Sequence, residues 1–165
     1  MRHRLVVLVA VTSLLTVLSP AMSGPAHARP ASPRTTGAAA SEWARVQYLL
    51  FGASMSQFLA ASRSPDPRLD WSTDGCSAPI TGDTGLSFDF TAPCRRHDFG
   101  YRNLKLLDRR HGSGRFWNPA NRWRVDERFL ADMLAHCRTR APWLQPRCRA
   151  WAQTYHTAVR WLGWI

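Results

Sequence analysis

The sequence predicts a small all-α domain closed by two disulfides, with two antiparallel helices carrying the functional side chains. Three observations predict it. Apolar residues recur at helical spacing through most of the chain after residue 40. The cysteines, Cys76, Cys94, Cys137 and Cys148, are even in number, as expected of a disulfide framework in an exported chain. One long segment, Asp66 to Ala92, is rich in Pro, Gly, Asp, Ser and Thr and has no helical period, and long ordered loops in compact domains are often functional.

Export is expected from the first residues, "MRHRLVVLVAVTSLLTVLSPAMSGPAHARP". Arg2 and Arg4 precede an apolar run from Leu5 to Leu18, and Ala26-His27-Ala28 is a small-x-small cleavage site. Together they make residues 1–28 a secretory signal peptide. The alternative, a membrane anchor, needs an apolar run of about 20 residues. Removing 28 of the 165 residues leaves 137, enough for one core. Residues 29–40 lack periodicity and are expected to be a flexible lead-in, with the helical domain at 41–165. The protein is expected to be secreted and extracellular.

The first helix is expected to start at a Ser41 cap, with Trp43, Val46, Gln47 and Leu50 on one face. Ser54 can cap a second, ending before Pro65. A third is expected to begin with Thr91 as its cap and Pro93 in its first turn, and to run to about Arg110. It places Cys94, His97, Tyr101 and Leu104 on one face. Gly100 in its interior suggests a neighbour that approaches closely. A fourth, from about Asn121 to Arg138, lines up Asp126, Phe129, Leu130, Met133 and Cys137. A last helix follows Pro142 or Pro146. The short link makes these last two antiparallel neighbours. Of the three possible disulfide pairings, the local one, Cys76 with Cys94 and Cys137 with Cys148, closes two short loops and is favoured. The spacing does not suit zinc.

The formal charge is +11, or +9 without Arg2 and Arg4, and Lys105 is the only lysine. Such a charge attracts anionic surfaces, nucleic acid or acidic lipid, or simply keeps a protein soluble. Charge alone does not choose among them. There is no G-x-S-x-G, and every cysteine has a disulfide role, so a seryl or cysteinyl nucleophile has no motif here.

Asp126 is a carboxylate in an apolar stripe, which is costly unless paired. His97, on the inward face of its own helix, is the expected partner. A carboxylate that accepts from one imidazole nitrogen leaves the other free as a base. Tyr101, one turn from His97, could bond the same carboxylate. The plainer possibility is a core histidine in a structural ion pair, and Asp132 is the second-ranked partner. Asp98 points about 100° away from His97. If Cys76 pairs with Cys94, "STDGC" is drawn against this helix and brings Asp74 towards Asp98. Two close carboxylates repel unless a cation lies between them. With the Gly75 carbonyl they would make a hard oxygen site, for which calcium is the first choice outside the cell. Alternatively Asp74 is only a turn residue, and Asp70, Asp83 and Asp89 are rival ligands. A base, its carboxylate and a metal suit ester hydrolysis.

The motifs "DWSTDGC", "CRRHDFGYRN" and "RVDERFLADM", followed by two more cysteines, resemble the small secreted phospholipases A2 of bacteria and fungi. The resemblance runs from about Phe58 to the last helix. It implies calcium-dependent release of the sn-2 fatty acid, with His97 as the water-activating base and Asp126 as its partner. It places calcium on the carboxylates of Asp74 and Asp98 and the carbonyl of Gly75. The glycine-rich loop and extra cysteines of the animal enzymes are absent, a larger residue is expected at position 75, and the connector from His111 to Asn121 is long for the family. The implied partner is a phospholipid, met by a monomer through peripheral contact with a membrane or vesicle, and no nucleic acid is expected. A non-catalytic lipid-binding or membrane-damaging protein and a basic nuclease are the rival classes. Trp117, Trp161 and Trp164, with Arg115, Arg122 and Arg160 nearby, are candidates for a lipid-facing surface, unless the tryptophans pack into the core.

Overall fold

A computed structural model describes residues 33–76, 88–112 and 114–162 of the chain. The leader, the lead-in before residue 33, Asp83 and Trp164 lie outside the described residues. Helix α1 spans Pro33–Gln47 and runs into a π-helical turn, Tyr48–Gly52. Helix α2 spans Met55–Arg63, α3 Thr91–His111, α4 Pro119–Arg138 and α5 Gln145–Leu162, the last preceded by a 3-10 turn at Pro142–Leu144.

Helix boundaries follow local chemistry, with two departures from expectation. Ser41 does not cap α1, which already starts at Pro33, and its hydroxyl instead donates to the Ala38 carbonyl within the helix. Proline suits a first turn and alanine is the best helix former, so Pro33 and Ala38 to Ala40 extend the helix upstream. Ser54 does cap α2. Its hydroxyl accepts from the Gln57 N–H while the Gln57 side chain accepts from the Ser54 N–H, a reciprocal capping box. Thr91 does not cap α3 but is its first residue: Phe90 holds the cap position, and the Asp89 carboxylate accepts the Thr91 N–H in its place. Asn118 caps α4 through the Asn121 N–H, with Pro119 in the first turn.

Both disulfides join the cysteines closest in sequence, Cys76 to Cys94 and Cys137 to Cys148. Helices α3 and α4 are antiparallel: His97 meets Phe129, Gly100 meets Val125 and Tyr101 meets Arg122, in opposite sequence order. Helices α4 and α5 are antiparallel as well, joined at one end by Cys137–Cys148 and further along by Glu127 with His156.

The core has two parts. One gathers Val46, Leu49, Leu50, Phe58, Leu104 and Val125 from α1, the π turn, α2, α3 and α4. The other gathers Phe90, Cys94, Phe129, Met133, Cys148 and Tyr155 around α4 and α5. A buried arginine stitches the two. Arg96 sends Nη1 to the carbonyls of Leu50 and Ala53 at 3.4 and 3.0 Å, and its Nε lies 3.3 Å from Asp132. Those carbonyls sit at the π turn, where the Ala53 N–H reaches back five residues to the Tyr48 carbonyl. A π turn leaves carbonyls that the regular ladder would have used, and the guanidinium satisfies them.

The long connector between α3 and α4 has a clear role. The Asp108 carboxylate accepts the N–H groups of Gly114 and Phe116, both at 3.0 Å. Backbone hydrogen bonds of this kind, that from Gly114 foremost, hold its carboxyl below the usual range. So pinned, the connector buries Phe116 against Trp43 and lays Trp117 edge-on to Tyr101.

Gly100 is the close approach expected from the sequence: a Cβ there would lie 2.7 Å from Val125 Cγ1 and 3.1 Å from Leu50 Cδ2. Gly100→Ala should therefore destabilise the fold by about 1–3 kcal/mol despite alanine's better helix propensity. A rise in the urea midpoint would show that α3 and α4 are not in this contact.

Candidate active site

His97 and Asp98 are adjacent on α3 and serve two different neighbours. His97 faces α4, where its Nε2 lies 3.0 Å from Asp126 Oδ1. Its ring is packed between Tyr101 and Phe129, with centroids 4.4 and 4.7 Å away. The Tyr101 hydroxyl donates to the same oxygen at 2.7 Å. The second oxygen, Oδ2, is 3.3 Å from Nη1 of Arg160, which comes from α5. Asp126 is thus reached by donors from two other helices, while its side chain is 1% exposed.

Burial alone would push the Asp126 carboxyl up. The hydrogen bonds from His97 and Tyr101, with the charge of His97 and the bond from Arg160, outweigh it and hold the carboxyl below its ordinary value. Asp126 is therefore ionised and accepts. The nitrogen facing an ionised carboxylate donates to it, and in the neutral imidazole Nδ1 then keeps its lone pair. Burial, then the bond to Asp126, raise the Tyr101 hydroxyl well above its usual range, so it stays a donor.

Asp98 faces the loop. One of its oxygens accepts from the Thr73 hydroxyl at 2.5 Å and from the N–H groups of Asp74 and Gly75, both at 3.2 Å. The Cys76–Cys94 bridge holds this loop on α3, with Cα atoms 5.3 Å apart. Gly75 has φ +73°, a conformation that favours glycine, which explains why no larger residue stands there. The Asp74 carboxylate bonds Arg102, one helical turn beyond Asp98, at 2.6 Å.

Three Asp or Glu, Cys or His side chains do not converge anywhere among the described residues. Around the Asp98 carboxylate stand the Thr73 hydroxyl oxygen and the N–H groups of Asp74 and Gly75, with the Asp74 carboxylate near enough for its charge to be felt. Burial, and after the opposing Thr73 bond the charge of Asp74, raise the Asp98 carboxyl. A divalent cation would remove that repulsion, so the donor chemistry fits a hard ion such as calcium. Arg102 competes with such an ion for Asp74.

The rival residues have other work. Asp70 accepts the Ser72 N–H and hydroxyl in a local turn, and Asp89 serves the start of α3. Asp132 is not at the histidine. It lies 3.3 Å from Arg96 Nε and 3.1 Å from Arg128 Nε, and burial still raises its carboxyl against both charges. Thr73, Arg102 and Arg160 are parts of the site that sequence reasoning missed. Thr73 carried a signal in its place beside Asp74, while the arginines are two among many.

The tryptophans are also redistributed. Trp117 is half-buried beneath Lys105 and Arg122, whose charges lie 4.7 and 5.0 Å from its ring centre, so neither Trp117 nor Arg122 is free to dock. Trp161 and Trp143 are each 79% exposed and Trp123 is exposed as well. Trp123 and Trp161 lie at the Asp126 end of the α4–α5 pair, and Trp143 lies at the other end.

A family model described as prokaryotic phospholipase A2 matches residues 46–163. A secretory phospholipase A2 of Arthroderma benhamiae is 37% identical over 119 residues, covering 70% of this chain and 74% of that protein. A secretory phospholipase A2 of Beauveria bassiana is 34% identical over 115 residues, covering 69% of this chain and 55% of that one.

The placement of Asp132 can be checked through stability. Asp132→Asn would leave Arg96 buried without its counter-charge, at an expected cost of about 3 kcal/mol or more in chemical denaturation. A loss below about 1 kcal/mol, within the range of a surface pair, would show that Asp132 does not neutralise Arg96.

Proposed function

This chain belongs to the prokaryotic phospholipase A2 family, and from that premise we propose that it is a secreted, calcium-dependent phospholipase A2. It would hydrolyse the sn-2 acyl ester of glycerophospholipids, with His97 as base and Asp126 as its partner. The observation that carries the reading is the 3.0 Å contact between His97 Nε2 and Asp126 Oδ1. Export is supported by the leader motif and by the word "secretory" in the names of both relatives. No helix among the described residues is long and apolar enough to cross a membrane.

The chemistry follows from the tautomer. With Nε2–H engaged by Asp126, Nδ1 of His97 takes a proton from water as the water oxygen attacks the sn-2 carbonyl carbon. The imidazolium formed is countered by the Asp126 charge, and Tyr101 is a second donor to the oxygen that faces His97. His97 then returns the proton to the glycerol oxygen as the acyl C–O bond breaks. Calcium, held by the carboxylates of Asp74 and Asp98 and the Gly75 carbonyl, would supply positive charge for the carbonyl oxygen as it becomes an oxyanion. An intact base, partner and Asp98 favour this reading over a lipid-binding protein that keeps only the fold.

The substrate lies in a membrane, so a face must meet it. We place that face at the Asp126 end of α4 and α5, where Trp123 and Trp161 are exposed in a strongly basic chain. Tryptophan with nearby cationic charge suits a lipid interface.

Two crossed variants test the chemistry. His97→Ala should abolish calcium-dependent fatty-acid release from phospholipid vesicles while keeping calcium binding by calorimetry and a folded, helical far-UV spectrum. Asp98→Asn should lose calcium affinity and activity together. Near-normal turnover without His97 would remove the mechanism, and unchanged affinity in Asp98→Asn would move the metal elsewhere.

For the surface, Trp161→Ala should weaken sedimentation with anionic vesicles, and rising salt should weaken it further. Trp143→Ala should leave it unchanged. If Trp143 proves the sensitive position, the docking end has been misplaced.

A further inference from the structure

We propose that Arg160 on α5 is a positioning residue for the His97–Asp126 pair; the inference rests on the dyad reading above. His97 and Tyr101 both engage Oδ1 of Asp126, and both come from α3. Two donors on one oxygen leave the carboxylate free to turn about its last bond, which for aspartate is a broad torsion. The partner of the other oxygen decides its plane. That partner is Arg160 Nη1, at 3.3 Å.

Among the described residues, Arg160 reaches the dyad through Asp126. Arg160 meets the buried carboxylate from a third helix, and its own side chain is 41% exposed. The other guanidinium near the dyad, that of Arg122, lies over the rings of Tyr101 and Trp117, 5.7 and 5.0 Å from their centres. Arg160 is also 12 residues from Cys148, about 18 Å along the helix. The disulfide holds one end of α5 on α4, and the Arg160–Asp126 pair holds the other. The turn carrying the exposed Trp161 is thereby joined to the catalytic carboxylate.

A charge-assisted hydrogen bond to a buried carboxylate is among the stronger ones. Arg160→Gln, assayed with calcium on phospholipid vesicles, should lower kcat roughly tenfold to a hundredfold. KM and calcium affinity should stay put. Arg160→Lys, which keeps the charge, should restore most of the rate. The downfield proton resonance of His97 Nε2–H should move or broaden in Arg160→Gln and return in Arg160→Lys. His97→Ala, run alongside, separates the two readings: if it still turns over, the dyad itself is wrong.

With His97→Ala inactive, three results would overturn the role of Arg160. Full activity and an unmoved resonance in Arg160→Gln would do so. A raised KM with unchanged kcat would mean that Arg160 touches the phospholipid. A loss of rate that tracks the fall in melting temperature equally in both Arg160 variants would make its role structural.

Discussion

An ionised carboxylate with 1% of its side chain exposed is too costly to keep in a small helical domain without donors around it. Asp126 obtains them from two neighbouring helices: His97 and Tyr101 on α3, and Arg160 on α5. That requirement sets the register of three helices at once. If α3 slid by one turn on α4, His97 would miss Asp126 and Gly100 would no longer sit opposite Val125. The packing constraint and the chemical constraint therefore specify the same alignment. The site lies where the two parts of the core meet, with Phe129 from one part and Tyr101 from the other against the imidazole.

A second buried charge has the opposite purpose. Arg96 is one residue from His97 and points away from it, into carbonyls that a π turn has left over, with Asp132 as counter-charge. Its environment is imperfect. Burial lowers the guanidinium's proton affinity, and Asp132 Oδ2 and Arg96 Nε are close yet lack an aligned hydrogen bond. A buried pair of this kind adds little net stability, but removing one member is costly. Its role is to join α1 and α2 to the α3–α4 pair, which makes the platform under the site rigid.

Three successive residues of α3 thus face three partners. Arg96 faces the π turn, His97 faces α4, and Asp98 faces the loop tied down by Cys76–Cys94. Successive residues about 100° apart on a helix make this possible. The loop's backbone N–H groups, turned towards Asp98, and Arg102 on Asp74 satisfy both carboxylates in the state described. A cation entering there would have to draw Asp74 from Arg102, so Arg102 bears on the affinity of any metal bound by this loop.

Much of this was legible in the residues themselves. Helical periodicity, cap residues and an even cysteine set were enough for the all-α class and the local disulfides, because these depend on neighbours close in sequence. The stripe containing Asp126 and the face shared by His97 and Tyr101 were visible for the same reason, and the motifs around them led to the family to which the chain belongs. The start of α1 was missed because an alanine-rich stretch reads as a linker until the helix beyond it has a core to pack on. The choice of Asp126 over Asp132 became firm only in three dimensions: both lie on one helix, and the rotation of α4 against α3 decides which of them meets His97. Arg160 was read as a lipid-facing charge, and its place at Asp126 could not be read in a chain with so many arginines. Its contact spans 34 residues and exists only because α5 folds back along α4. Exposure was equally a tertiary outcome, since a tryptophan's place in the sequence does not tell whether a neighbouring helix covers it. Trp117 is covered and Trp161 is not.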